Sequence, residues 1–322
     1  METKVLQSVY DKQTNAYRVG DEPLVFHCHH YNLFLQNTIE DAEAFVDVQK
    51  LLTQSAEYVV FHQCKNLSAQ GKLSIEDLVR IFSSFGFGKL SIQTMNENGG
   101  LITSPYDHYG LGYISKYELR TASQPSVSYF AQGFIAAIFA YYYDKPLFSY
   151  QVNQSECFSK GSQQAVYEIT LLNAPEKPIF DYQCGKGVLG TIPHFDNRKD
   201  TTIDYLAIRE ALTSMRLEGH PETGLIDAFG VLLTRHYANY YCNISFGLLH
   251  SLINELGEEE GYEMAKDLLI EAGHVCGFNT MGGIMLSMEW NALIKPMIQT
   301  REDWMHGIIA CINALGWGNL YH

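Results

Sequence analysis

One order of short motifs occurs twice along this chain, and that repetition constrains the fold more than any single motif does. The first series begins with a polar helix pattern at 27–36 (HCHHYNLFLQ). It continues through His62 and Cys64 in H-Q-C, S-I-E-D at 74–77, and F-G-F-G at 85–88. The second series has TRHYANYYCN at 234–243, His274 and Cys276 in H-V-C, T-R-E-D at 300–303, and L-G-W-G at 315–318. Each motif alone recurs by chance, but four in one order predict an imperfect tandem duplication. S-x-x-D and T-x-x-D are helix starts, where the Ser74 or Thr300 hydroxyl accepts from an otherwise unpaired amide and the acids favour the positive helix end. The G-x-G after each apolar helix predicts a helix stop that leads into a strand.

A chain of 322 residues exceeds the size at which one core usually divides. The motifs place a first copy at 1–172, a linker at 173–203 and a second copy at 204–322. The linker is rich in Pro, Gly and charge, and its G-K-G at 185–187 lacks the spacing of a phosphate loop. After Gly88 the first copy continues through strand and helix patterns to Thr170, whereas four residues follow Gly318, so the second module is expected to be partial. The predicted class is α+β: two related modules, each an antiparallel sheet packed with helices.

Composition narrows the function classes. The chain is 46% hydrophobic with a formal net charge of -14, so it buries a core and repels phosphate backbones, which argues against a nucleic-acid partner. The longest apolar run, Val127 to Tyr143, falls short of the ~20 residues a membrane span needs and is expected to be a buried core helix. Seven cysteines, an odd number, and no secretory leader pattern point to free thiols and a cytoplasmic location.

Residues 130–169 combine Gly133 in an aromatic helix, a following strand, Glu156 and Cys157, Gly161 four residues later, and a closing strand. This stretch resembles the C-terminal part of the 4-vinyl reductase domain. With Ser74 to Leu90 the likeness covers most of residues 20–170, and it extends more weakly over 204–322. The resemblance implies an α+β module that binds a small aromatic or hydrophobic molecule. It also implies, in zinc-bearing relatives, two cysteines eight positions apart with a glutamate. Here Cys157 is matched by Ala165 and Gln154, so that zinc site is expected to be lost.

The chemistry-bearing residues follow helical spacing. His29, Asn32 and Gln36 in one copy, and His236, Asn239 and Asn243 in the other, fall at i, i+3 and i+7. Each stripe predicts a polar lining for an internal pocket, and these six are the candidate catalytic residues. A register shifted by one would set His30 and Tyr31 against His236 and Tyr237. An H-x-C pair with the helix histidine supplies three soft ligands and leaves one position open. His29, His62 and Cys64, or His236, His274 and Cys276, are therefore the expected ligands of iron, zinc or copper. A histidine-activated cysteine nucleophile uses the same residues without metal. In Y-D-H-Y at 106–109 the simplest expectation is a turn held by Asp107. The expected function is binding of a small organic molecule and its transformation at a His/Cys-bound metal. The alternative is a non-catalytic binder or sensor, and an apolar surface left by a partial second module would suit a homodimer.

Overall fold

The computed structural model describes residues 8–182, 201–215 and 217–318. Its centre is a hairpin-to-helix unit that occurs in both halves of the chain. In the first half β2 (Ala16–Val19) turns through Gly20 and Asp21 into β3 (Glu22–Cys28), which runs into α1 (His29–Glu40). In the second half β8 (Ile226–Ala228) turns through Phe229 and Gly230 into β9 (Val231–Tyr237), which runs into α7 (Ala238–Leu256). All four turn residues have positive φ, between 55° and 71°. Two-residue hairpins demand this because their twist must match that of the strands.

β3 and β9 pair antiparallel from Leu24↔Tyr237 to Cys28↔Leu233, with Phe26 opposite Arg235. With β1 (Val9–Asp11) they form a five-stranded sheet, β1-β2-β3-β9-β8, which spans both halves. The halves exchange backbone hydrogen bonds in matching places. Phe26 N–H donates to Leu315 O at 3.0 Å, and Arg235 N–H donates to Phe85 O at 2.8 Å. Phe85 and Leu315 close α3 (Ile75–Ser84) and α11 (Arg301–Ala314). Each is followed by a glycine with φ near 90°, Gly86 and Gly316, which reverses the chain after the helix. Both expected capping boxes form: Ser74 with Asp77 and Thr300 with Asp303.

The helices cross between halves as well. α1 packs on α8 (Glu258–Cys276), while α7 packs on both α2 (Val48–Leu67) and α8. In the first half a second sheet, β4-β5-β7-β6, is added by β4 (Gly88–Asn96), β5 (Gly99–Asp107), β6 (Tyr150–Glu156) and β7 (Ala165–Leu171). Asp107 accepts from the amides of Tyr109 (3.3 Å) and Gly110 (3.2 Å), and so starts the short α4 (His108–Ile114).

The apolar run expected to be internal is α5 (Tyr129–Tyr142), buried at every position but the last and set against α2 and β6. Its contact with α2 is close enough that a Cβ on Gly133 would lie 2.1 Å from Thr53 O. Among the described residues no helix is long and apolar enough to cross a membrane. Most of the expected linker, including the G-K-G, lies outside the described residues.

Candidate functional site

Where β3 and β9 feed their helices, five histidines meet four tyrosines. His27 is the next-to-last residue of β3 and its ring stacks on Tyr31 (4.2 Å between centroids), beside Trp317 at 4.2 Å and Tyr241 at 4.9 Å. His236 occupies the same strand-end position in β9, one residue before the helix N-cap. It lies beside Phe87 at 5.0 Å, Phe130 at 4.5 Å, Tyr240 at 4.9 Å and Tyr241 at 4.7 Å. His29 and His30 open α1 with rings 3.9 Å apart, and His108 lies 6.4 Å from His29. His30 is half-buried and forms the outer edge of the group; the other four histidines are buried.

Hydrogen bonds fix the tautomers. Tyr241 Oη donates to Asn32 Oδ1 at 2.6 Å, so the Asn32 amide nitrogen faces His108 Nε2 at 3.0 Å and Thr234 Oγ1 at 3.1 Å. His108 Nε2 is therefore the acceptor and Nδ1 carries the proton, yet Nδ1 is buried with no partner among the described residues. Tyr237 N–H donates to His236 Nδ1 at 2.9 Å, which places the His236 proton on Nε2, directed at Tyr109 Oη at 3.0 Å. The Tyr109 oxygen accepts that bond, and its own hydrogen has no acceptor among the described residues. Among the described residues His27 Nδ1, His30 Nδ1 and Gln36 Oε1 are also buried without partners.

Burial sets the charge state. Desolvation lowers His27 to about 3 and His29 to about 4, with His30 adding to the effect on His29. It holds His108 and His236 well below the ordinary histidine value and raises the Tyr109 hydroxyl well above the ordinary tyrosine value. The cluster is thus a set of neutral donors and acceptors walled by aromatic rings. Arg235, next in the strand to His236, points to the other face and lies over the rings of Tyr17, Phe26 and Phe85.

The first predicted stripe is internal: His29, Asn32 and Gln36 are all buried on one face of α1, with Gln36 donating to Glu40 Oε1 at 3.4 Å. The second stripe is not one helix face. His236 belongs to β9, Asn239 is exposed on α7 and donates to Glu22, and Asn243 is buried. The strand-end position of His236 is shared by His27, two residues before His29. The H-x-C pairs lie within helices, His62 and Cys64 in α2, His274 and Cys276 in α8. Residues two apart point about 200° away from each other. Accordingly Cys64 and Cys276 are buried while His274 is exposed and His62 lies against Tyr58. Among the described residues no three His, Cys, Asp or Glu side chains form a metal-binding group. Cys276 instead shares the Thr280 hydroxyl with Cys28, at 3.6 Å and 3.2 Å.

His108, Tyr109 and Tyr241 join the site through contacts 76 to 209 residues apart in sequence. The local signal for His108 and Tyr109 is Y-D-H-Y, whose Asp107 also receives the Ser128 hydroxyl, and Tyr241 lies in the second polar motif at 234–243. No known family profile, curated protein or solved structure matches this chain.

Proposed function

We propose that this chain binds a small planar organic molecule at the buried histidine–tyrosine cluster, between two halves that are copies of one vinyl-reductase-like module. The observation that carries the reading is the pair of adjacent donors, His108 Nδ1–H and Tyr109 O–H. Neither has an acceptor among the described residues, and they stand next to each other in the chain, unlike the other unmatched groups of the site, His27 Nδ1, His30 Nδ1 and Gln36 Oε1. A buried donor without a partner costs about 1–3 kcal/mol, so two of them side by side call for an acceptor from outside the chain. Uncharged donors suit a carbonyl or phenolic oxygen better than a carboxylate, whose charge would need a cation there. The flanking rings of Phe87, Phe130 and Tyr240 suit a flat apolar body.

The copies correspond through the shared hairpins, the two capping boxes and the exchanged Phe26–Leu315 and Arg235–Phe85 bonds. In that correspondence His27 answers to His236, and Trp317 answers to Phe87. The reading favours binding over acid catalysis, because burial makes the Tyr109 proton harder to release. It routes no step through a metal.

The test is calorimetric titration with phenol and with 4-hydroxyacetophenone, on wild type and on Tyr109→Phe. Loss of one hydrogen bond without loss of the ring is expected to weaken binding by about tenfold to a hundredfold while the urea midpoint stays close to wild type. Failure of both compounds to bind at millimolar concentration, or equal binding by Tyr109→Phe, overturns the reading.

A further inference from the structure

The first half holds a cavity that shares no residue with the histidine cluster. It lies between α2, α5 and β6, has a volume of about 310 Å³ and is lined mainly by polar side chains. Glu57 of α2 forms its buried wall. The residue is 4% exposed, and its Oε1 accepts from the Phe148 amide at 2.6 Å. Phe148 presents that amide from the left-handed region, with φ of 65°, a conformation that a bulky side chain rarely adopts. Glu57 Oε2 has no hydrogen-bond partner among the described residues. A buried carboxyl with one oxygen unmatched is costly, and on a cavity wall that oxygen calls for a partner from outside the chain.

The remaining lining selects the sign of that partner. Asp47 and Glu176 are exposed carboxylates in it, and the one cation among the lining residues, Lys50, lies 3.9 Å from Glu176. With Glu57 ionised, three carboxylates stand against one ammonium, so the cavity repels an anion and favours a cation. α5 adds no charge, since it contributes Gln132, Gly133 and Ala136. No three acids here form a metal-binding group among the described residues, which favours an organic cation over a metal ion. The rings of Phe148 and Tyr150 in the lining suit the alkyl stem and the charge of such a ligand.

We propose that this cavity binds a small primary ammonium ion, with Glu57 Oε2 as its buried counter-ion and Asp47 and Glu176 as the charges that draw it in. Burial raises Glu57 to about 8, and Glu176 adds to the rise, so in the empty cavity the side chain is the neutral acid at pH 7. Binding is then an exchange. The Glu57 O–H bond breaks, its proton passes to solvent, and the carboxylate accepts from a ligand N–H. One positive charge enters as one leaves, so the net charge of the cavity does not change. Tyr150 and Tyr182, the other titratable groups near Glu57, keep their protons throughout because burial raises both hydroxyls.

Isothermal titration with butylammonium chloride tests the proposal, with 1-pentanol as a neutral ligand of the same length. At pH 8 the ammonium is expected to bind at least about tenfold more tightly than the alcohol. At pH 7 about one proton should be released per ligand bound, read from the difference in heat between phosphate and HEPES buffers. Affinity should rise by up to about tenfold per pH unit below about 8 and level off above it. Glu57→Gln keeps an acceptor for the Phe148 amide. It is expected to abolish the proton release and to weaken butylammonium binding at pH 8 at least about tenfold. Glu176→Gln, on the exposed side, is expected to weaken binding about threefold and to flatten its salt dependence. Equal binding of ammonium and alcohol, no binding of either at tens of millimolar, or proton release that persists in Glu57→Gln overturns the proposal. So does binding that Tyr109→Phe removes, which would place the ligand at the histidine cluster.

Discussion

Acidification from pH 6 to 4.5 is expected to weaken this fold steeply, and the size of the effect follows from a count of buried protons. Below pH 6.5 the unfolded chain takes up protons at His27, His29, His108 and His236, but burial holds all four neutral in the fold. Their stabilising contribution is complete above pH 6.5 and is lost as pH falls toward the folded values. Two buried carboxyls oppose them. Desolvation raises Asp107 to about 6 and Glu57 to about 8, so the fold keeps protons there that the unfolded chain releases. Their contribution is present at low pH and lost as pH rises through those values. Between pH 6 and 4.5 the unfolded state binds four of these protons and the fold two. Stability then falls by about 2.7 kcal/mol per pH unit, or about 4 kcal/mol over the window. Above pH 6.5 only Glu57 remains out of balance, and stability declines by about 1.4 kcal/mol per unit as pH rises toward 8. Urea midpoints followed by circular dichroism from pH 4.5 to 8 should trace a dome with its top near 6 to 6.5. Glu57→Gln should level the alkaline side alone. A midpoint that holds steady or rises between pH 6 and 4.5 would refute the assignment of neutral buried histidines.

Three substitutions probe separate parts of the packing. Gly133→Ala forces α5 away from Thr53 O and is expected to cost about 1–3 kcal/mol in urea unfolding. Asn32→Ala leaves Tyr241, His108 and Thr234 without their shared partner, and about 3 kcal/mol or more should be lost, with faster amide exchange along α1. Ser74→Ala removes one half of an exposed capping box and should lower stability by about 1 kcal/mol without touching ligand binding.

The parts of this structure that were legible in the sequence depend on neighbours a few residues apart. Ser74 with Asp77 and Thr300 with Asp303 announce helix starts because a hydroxyl and a carboxylate three residues on satisfy the amides of a first turn. Residues 129–142 announce a buried helix because they carry no charge. His29, Asn32 and Gln36 announce an internal polar face because their spacing is helical. The remainder is long-range. Nothing local says that Val25 pairs with His236, so the end of the strand that holds His236 reads in sequence as the start of the helix beyond it. The spacing of His62 and Cys64 suggests a chelating pair, and α2 turns the two side chains to different sides of the helix. The repeating Leu51, Leu52, Val59 and Val60 on the buried side of α2 were the available signal for that helix. His108 and Tyr109 were hidden because their partners, Asn32 in α1 and His236 in β9, are distant in the chain.

The bonds from Phe26 to Leu315 and from Arg235 to Phe85, together with α1 on α8 and α7 on α2, make each half the scaffold of the other. Such an arrangement has no seam along which the chain can be parted by cutting a peptide bond. Cleavage anywhere between 183 and 200 should leave the two pieces in one body, held by a shared sheet. Expressed as separate polypeptides, 1–182 and 201–322 should recover the structure only when mixed. Either fragment alone would present an unpaired β3 or β9 edge and would be driven to pair with itself. Continuity of the backbone here serves to fix which two strands meet, a matter of pairing fidelity more than of mechanical support.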